Sequence, residues 1–369
     1  MGNKILYLVA NDRYFCSHRL SLALAAKKQG FDVTVVAPAL GDHERIIKAG
    51  LRFIPLPFQR GGMNPFHEVK TIYQIWKLYR QIRPDIVHHV AIKPVLYGTI
   101  AAYFARVPRV INAVSGLGHI FAADSWLKTP LKIIMRFLLN LKTVRVIVQN
   151  PEDFEEIKAL TQKDNIHLIL GAGVNLKEFA PREEQPAPPF KIIHVSRLLW
   201  TKGIKELVQA GQILKGQGQN VCIQIVGEPD LENPAAIPVQ VLQKWQKEGA
   251  IEWLGHRTDI ANLYRQSHIA VLASYYREGI PKSLLEAASC GKPIITCDMP
   301  GCRIIVRDGE NGYLVPPQDS EALAKAILRL IQNPELRTKM AHASRHHAES
   351  QFGEDKIHQE TIELYGSSE

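Results

Sequence analysis

The chain has 369 residues, 46% hydrophobic and 22% charged, which excludes a disordered or fibrous protein and calls for two domains around separate cores. No apolar run reaches the length of a membrane span, and residues 1–10 carry no secretory cleavage site. The five cysteines (Cys16, Cys222, Cys290, Cys297, Cys302) form no C-x-x-C pair, so a cytoplasmic protein with reduced thiols and no structural zinc is expected.

Residues 4–10 read as a buried strand, 11–15 as a polar turn, 17–29 as a helix and 31–38 as the next strand. The alternation continues with strands at 51–58, 86–90, 109–114 and 144–148 and helices at 65–82 and 94–105. Strands alternating with helices imply a parallel sheet covered on both faces, with ligands beyond the carboxyl ends of its strands. The loop after the first strand has no glycine, which argues against a dinucleotide-binding fingerprint there. His88 and His89 are adjacent on a strand, so one faces each side of the sheet and they do not form a metal pair.

Residues 126–145 contain no acid. Lys128, Lys132 and Arg136 recur at helical spacing, opposite an apolar side of Leu131, Ile134, Met135 and Leu138. Two readings stand here: a basic amphipathic helix at a membrane interface, with Trp126 beside it, or a sheet-covering helix with a basic outer face. Residues 1–185 hold 25 Lys and Arg against 15 Asp and Glu, a net +10, and the remainder holds 20 against 21. That asymmetry points the first half at an anionic partner and favours the membrane.

Residues 180–189, rich in proline and charge, read as the linker, giving domains at 1–180 and 190–369, with the last helix either staying in the second domain or packing back on the first. The alternation restarts with strands at 191–195, 221–226, 251–254, 269–272, 294–297 and 313–315, and a helical pair closes the chain from residue 320.

Several loops at strand ends carry polar groups suited to an anion. Residues 196–203 (SRLLWTKG) place Arg197 and Lys202 after a strand, which suits a diphosphate; the alternative is a solvated basic loop. His256, in the turn 254–257, is uninformative by itself, and the amides around Gly301 could face a phosphate. Ser115, Gly116 and His119 close a strand of the first half, with His119 either a sugar contact or a plain loop residue. In 276–291 (YREGIPKSLLEAASCG), Pro281 suits the first turn of a helix and Gly291 the position past its end. Glu278 then precedes the helix and Glu286 lies inside it, on either side of free helix amides. Two carboxylates so placed fit a nucleotide-sugar, although the spacing alone is weak.

Taken together, SRLLWTKG, EGIPKSLLEA, GKPIITCDMPGCR, VRDGENGYLV and GAGVNLKEF resemble the retaining glycosyltransferases of family 4, over nearly the whole chain. The resemblance implies the GT-B fold: α/β, two Rossmann-like doubly wound domains facing a cleft. HHVAIKPVLYG, NAVSGLGHIF and the NPF at residues 64–66 resemble more narrowly the enzymes of the polyprenyl-diphosphate-glycan α-1,3-N-acetylgalactosaminyltransferase type. Carried over, Arg197 and Lys202 bind the donor diphosphate, Glu286 the ribose and Glu278 the transferred sugar. Gly279, Ile280, Pro281, His256 and Gly301 complete the donor side, and Ser115, Gly116, His119, His18 and Lys93 are acceptor-side candidates. Three positions depart from the family: Ser115 replaces a frequent histidine, the loop 11–15 is not glycine-rich, and Ile304 stands where a glutamate is common.

The implied reaction moves a hexose or N-acetylhexosamine from a UDP-sugar to a polyprenyl-diphosphate-linked saccharide at the inner face of the bacterial membrane. No D-x-D triplet is present, and no metal is expected because the two cations neutralise the diphosphate. A nucleotide-sugar epimerase of the same architecture is the alternative enzyme. A basic nucleic-acid-binding protein is the non-enzyme alternative, disfavoured because Glu278 and Glu286 would repel a phosphate backbone.

Overall fold

The computed structural model describes residues 3–57, 65–114, 128–161, 164–182, 187–231 and 233–366. It divides into two units: Met1–Ala172 with Glu354–Glu369, and Gly173–Gly353.

The first unit carries a seven-stranded parallel sheet: β1 (Lys4–Val9), β2 (Asp32–Ala37), β3 (Arg52–Pro55), β4 (Ile86–Val90), β5 (Arg109–Ala113), β6 (Val144–Val148) and β7 (Ile166–Leu168), in the order β3-β2-β1-β4-β5-β6-β7. Strand order reverses between β1 and β4, the place where such sheets open a ligand crevice. Alternation along β1 divides the core. Ile5, Tyr7 and Val9 pack with helices Leu20–Lys28 and Glu354–Gly366. Leu6 and Leu8 pack with helices Pro65–Ile82, Ile92–Ala105 and Lys128–Leu139.

His88 and His89 do point to opposite faces. His88 Nδ1 lies 2.6 Å from the Tyr365 hydroxyl, which is itself 2.8 Å from the Tyr7 hydroxyl. His89 lies 2.9 Å from the Tyr79 hydroxyl through Nε2 and 2.8 Å from Asn112 through Nδ1. Arg109 and Arg145 donate to the carbonyls of Tyr365 and Leu364, capping the C-terminal end of the last helix with positive charge.

The second unit carries a six-stranded parallel sheet: β8 (Phe190–Val195), β9 (Val221–Val226), β10 (Glu252–Gly255), β11 (Ile269–Leu272), β12 (Ile294–Cys297) and β13 (Gly312–Val315), in the order β10-β9-β8-β11-β12-β13. Its order reverses between β8 and β11. Where a closing pair is expected after residue 320, three helices follow: Ser320–Gln332, Pro334–Gln351 and Glu354–Gly366.

Three expectations need correction here. The loop 11–15 is no turn: Asn11 accepts from the amides of Arg13 and Tyr14 and starts helix Asp12–His18, so the expected single helix is two, broken at Arg19. The units do not divide at 180–189. Residues 174–180 are already tied into the second unit by the Val174 amide donating to the Phe352 carbonyl and by side chains of Arg265, Ser289 and Arg345 donating to carbonyls of residues 176–180. Helix Glu354–Gly366 counts with the first unit, one of the two placements expected for it. In helix Lys128–Leu139, Met135 and Leu138 are buried as expected, but Ile134 is exposed together with Ile133 and Phe137.

Candidate active site

In the second unit the loops after β8 and β11 lie against each other. The chain leaves β8 through a short 3-10 turn, Trp200–Lys202, and reverses at Gly203 with φ +72°. A Cβ there would stand 2.0 Å from the Ala273 carbonyl oxygen, so only glycine permits the approach. The Tyr275 amide donates to the Thr201 carbonyl at 3.1 Å, and Ser274 Oγ to the same carbonyl at 3.3 Å.

These contacts bring Lys202 to Glu278. The Lys202 side chain is 9% exposed, and its ammonium donates to Glu278 Oε1, which also accepts from Ser274 Oγ at 3.0 Å. Beneath them His194 lies 2.7 Å from Ser196 Oγ; burial and the Lys202 charge hold this imidazole down to about 3, so it stays neutral. Arg197 is more exposed and donates to Asp230 Oδ2 at 3.0 Å, from the loop after β9. The Tyr276 hydroxyl is pushed up by burial and by the Glu278 carboxylate, with the Arg197 charge opposing.

Glu278 is held by its own loop. Gly279, Ile280 and Pro281 are buried, and Gly301 begins a helix so close that a Cβ would stand 1.5 Å from the Gly279 carbonyl oxygen. Gly301 thereby supports the Glu278 loop through packing. Helix Lys282–Ser289 follows. Pro281 is its N-cap, with φ −65° and ψ 118°, one position earlier than expected, because its carbonyl already accepts from the Leu284 and Leu285 amides. Gly291, with φ +64°, ends the helix as expected.

Glu286 projects from this helix, half-buried. Burial pushes its carboxyl up to about 7, with Lys282 opposing and Glu178 adding. His256 is exposed after β10, beside the Gly255 carbonyl that accepts from the Gly227 amide at 2.9 Å. The arrangement can do three things: present cations to a diphosphate, hold a carboxylate beside them, and offer a second carboxylate eight residues on.

In the first unit, Ser115, Gly116, His119 and Trp126 lie outside the described residues, as does the Lys128 side chain. His18 ends helix Asp12–His18, stacked on Tyr14 with ring centroids 4.2 Å apart. Lys93 sits in the first turn of helix Ile92–Ala105, at the carboxyl end of β4, and donates to Glu68 Oε1 at 3.1 Å. Glu68 also bonds Tyr97, whose hydroxyl is pushed well up by burial and by that carboxylate. Ala91, just before, holds φ +75°, a strained backbone for a residue other than glycine. Asp12 is fully buried and accepts from the amides of Leu40 and Asp42, joining the loops after β1 and β2. Among the described residues no group of three or more His, Cys, Asp or Glu is placed to hold a metal ion, and no helix is long and apolar enough to cross a membrane.

Sequence reasoning missed Ser274, Asp230, Glu68 and Tyr97. Ser274, four residues before Glu278, was the most findable, as a polar residue at the carboxyl end of a strand.

Comparison with known proteins bears on both units. Residues 4–150 match the model of the glycosyl transferase 4-like family, and residues 175–347 that of glycosyl transferases group 1. A Campylobacter jejuni relative is 29% identical over 363 residues, covering 94% of each chain; it is named N,N'-diacetylbacillosaminyl-diphospho-undecaprenol α-1,3-N-acetylgalactosaminyltransferase. An Escherichia coli relative, UDP-Gal:α-D-GlcNAc-diphosphoundecaprenol α-1,3-galactosyltransferase, is 27% identical over 318 residues, covering 81% of this chain and 80% of that one. Among solved structures, Anabaena Alr3699/HepE in complex with UDP and glucose superposes with a TM-score of 0.80 at 20% identity, over 99% of this chain and 100% of that one. With parallel sheets in both units and these matches, the chain belongs to the glycosyltransferases of the GT-B fold, with a glycosyl transferase 4-like domain followed by a group 1 domain.

Proposed function

We propose that this glycosyltransferase moves a sugar from a UDP-sugar to a polyprenyl-diphosphate-linked saccharide in bacterial glycan assembly, with retention at the anomeric carbon. The observation that carries the reading is the Lys202–Glu278 contact at the β8–β11 reversal, with Glu286 on the helix that follows. The names of the Campylobacter jejuni and Escherichia coli relatives support the acceptor class and, for the latter, a UDP-linked donor.

In this reading Glu286 accepts hydrogen bonds from the ribose hydroxyls, and Lys202 and Arg197 face the diphosphate. Glu278 faces the transferred sugar. The bond from the anomeric carbon to the diphosphate oxygen breaks, and the acceptor oxygen attacks from the same face. The departing phosphate oxygen takes the acceptor proton. No strong protein base is needed, but charge growing on the diphosphate must be met by donors already in place. Lys202, Arg197 and the amides at the start of helix Lys282–Ser289 supply them, and the reaction proceeds without a metal. The enzyme works at the cytoplasmic face of the membrane, where its lipid-linked acceptor resides.

The test is transfer from a panel of UDP-sugars to an undecaprenyl-diphosphate-linked N-acetylhexosamine, with the product anomer read by NMR. Retained configuration and a lipid-linked disaccharide are expected. Inversion, or epimerised donor formed without acceptor, would overturn the proposal.

A further inference from the structure

The outer face of the first unit carries a patch that the donor site does not use. Tyr103 and Phe104, near the end of helix Ile92–Ala105, are 53% and 66% exposed. Ile133 and Phe137, one turn apart on helix Lys128–Leu139, are 65% and 60% exposed. The patch is continuous: the ring centroids of Tyr103 and Phe104 are 5.4 Å apart, and those of Tyr103 and Phe137 6.4 Å. Core packing does not require these side chains, since Met135, Leu138 and Leu139 already seat the second helix on the sheet. Large apolar groups clustered in water mark a contact surface.

Charge identifies the occupant. Neither helix contains an aspartate or glutamate. Arg106 follows the first helix and is exposed, while Lys132 and Arg136 lie on the turn beside Ile133 and Phe137. Aromatic and aliphatic side chains rimmed by cations, on two helices that carry no acid, match an anionic bilayer interface.

We infer that the Tyr103–Phe104–Ile133–Phe137 patch inserts into the headgroup region of an anionic membrane, with Arg106, Lys132 and Arg136 on lipid phosphates. This deepens the lipid-linked acceptor proposed above and rests on it for its purpose. It also changes the expected character of the contact, because apolar insertion outlasts salt and adsorption by charge alone does not.

The test uses the full chain with vesicles of phosphatidylglycerol and phosphatidylethanolamine, and with phosphatidylcholine vesicles as reference. The parent should sediment with the anionic vesicles and keep part of that binding in high salt. The triple variant Phe104→Ser, Ile133→Ser, Phe137→Ser should bind at least ~10-fold more weakly at both salt concentrations, its removed groups being the inserted ones. Lys132→Gln with Arg136→Gln should lose only the salt-sensitive part. In Phe137→Trp, emission above that of the parent should shift to the blue on anionic vesicles. A triple variant that binds like the parent, an unshifted tryptophan in bound protein, or self-association abolished by the triple variant would each overturn the inference. Transfer to a short water-soluble acceptor should be unchanged in the triple variant. A parent that binds vesicles but transfers no sugar would count against the proposed reaction and leave the docking surface standing.

Discussion

Lys202 and Glu278, one from the loop after β8 and one from the loop after β11, hold each other directly, and Ser274 donates to the same carboxylate oxygen. In the proposed reaction, the cation facing the diphosphate and the carboxylate facing the sugar are therefore one coupled unit. Removing either alters the other's charge and position.

Lys202→Ala and Glu278→Gln should each lower kcat by about 10²–10³, the usual effect of losing one transition-state donor or the charge beside it. The double variant should fall far short of the product of the two, because neighbouring groups sharing one interaction are not additive. Steady-state kinetics on the three proteins checks this; full multiplicativity would mean the two act independently.

Glu286 gives a pH dependence. Its folded carboxyl is raised from an ordinary 4.5 to about 7 by burial, so folding costs more as pH rises from 4.5 to 7 and the penalty is complete above 7. The ligand-free enzyme should lose stability across that window, and Glu286→Gln should flatten the loss. In the proposed donor site the ionised carboxylate accepts from both ribose hydroxyls better than the neutral acid, so UDP affinity should gain more in the parent than in Glu286→Gln as pH rises through about 7. Calorimetry at pH 6 and 8 separates the two proteins.

Gly301→Ala should disturb the donor loop without touching a ligand. Its Cβ meets the Gly279 carbonyl oxygen at 1.5 Å, so the Glu278 loop must move. The cost should be about 1–3 kcal/mol in urea unfolding, as for overpacking elsewhere. Turnover should drop along with it.

Tyr365→Phe keeps the ring and removes the hydroxyl shared by Tyr7 and His88. Leaving buried partners unsatisfied should cost about 1–3 kcal/mol. UDP affinity, which in the proposed reaction depends on the second unit, should be unchanged; a fall in affinity would show that the last helix governs the donor site.

Activity should survive EDTA, since Lys202 and Arg197 carry the charge of the leaving diphosphate in the proposed reaction. Loss restored by Mg²⁺ or Mn²⁺ would require a metal in the mechanism.

The sheets were legible because strands buried on both faces read as unbroken apolar runs, as in residues 31–38 and 221–226. β7, three residues at the sheet edge, offers no such run. The break at Arg19 leaves no sequence mark, because no glycine or proline stands at residues 12–28. Glu278 and Glu286 could be read together since one short segment carries both. The Arg197–Asp230 and Lys93–Glu68 pairs could not: each joins two loops or helices that only the folded sheet brings side by side. The stretch 180–189 has a linker's composition, yet the chain has joined the second unit before reaching it, through carbonyls that composition does not reveal.

The last helix, which covers the Tyr7 and His88 face of the first unit, is separated from the rest of that unit by the whole of the second. On the ribosome the first sheet is complete long before its covering helix exists. At ordinary elongation rates the delay is on the order of ten seconds or more. Throughout it Tyr7 and His88 lack their Tyr365 partner, and an apolar sheet face stands open to chaperones and to other nascent chains. The first unit of this enzyme is thus begun before the second and finished after it.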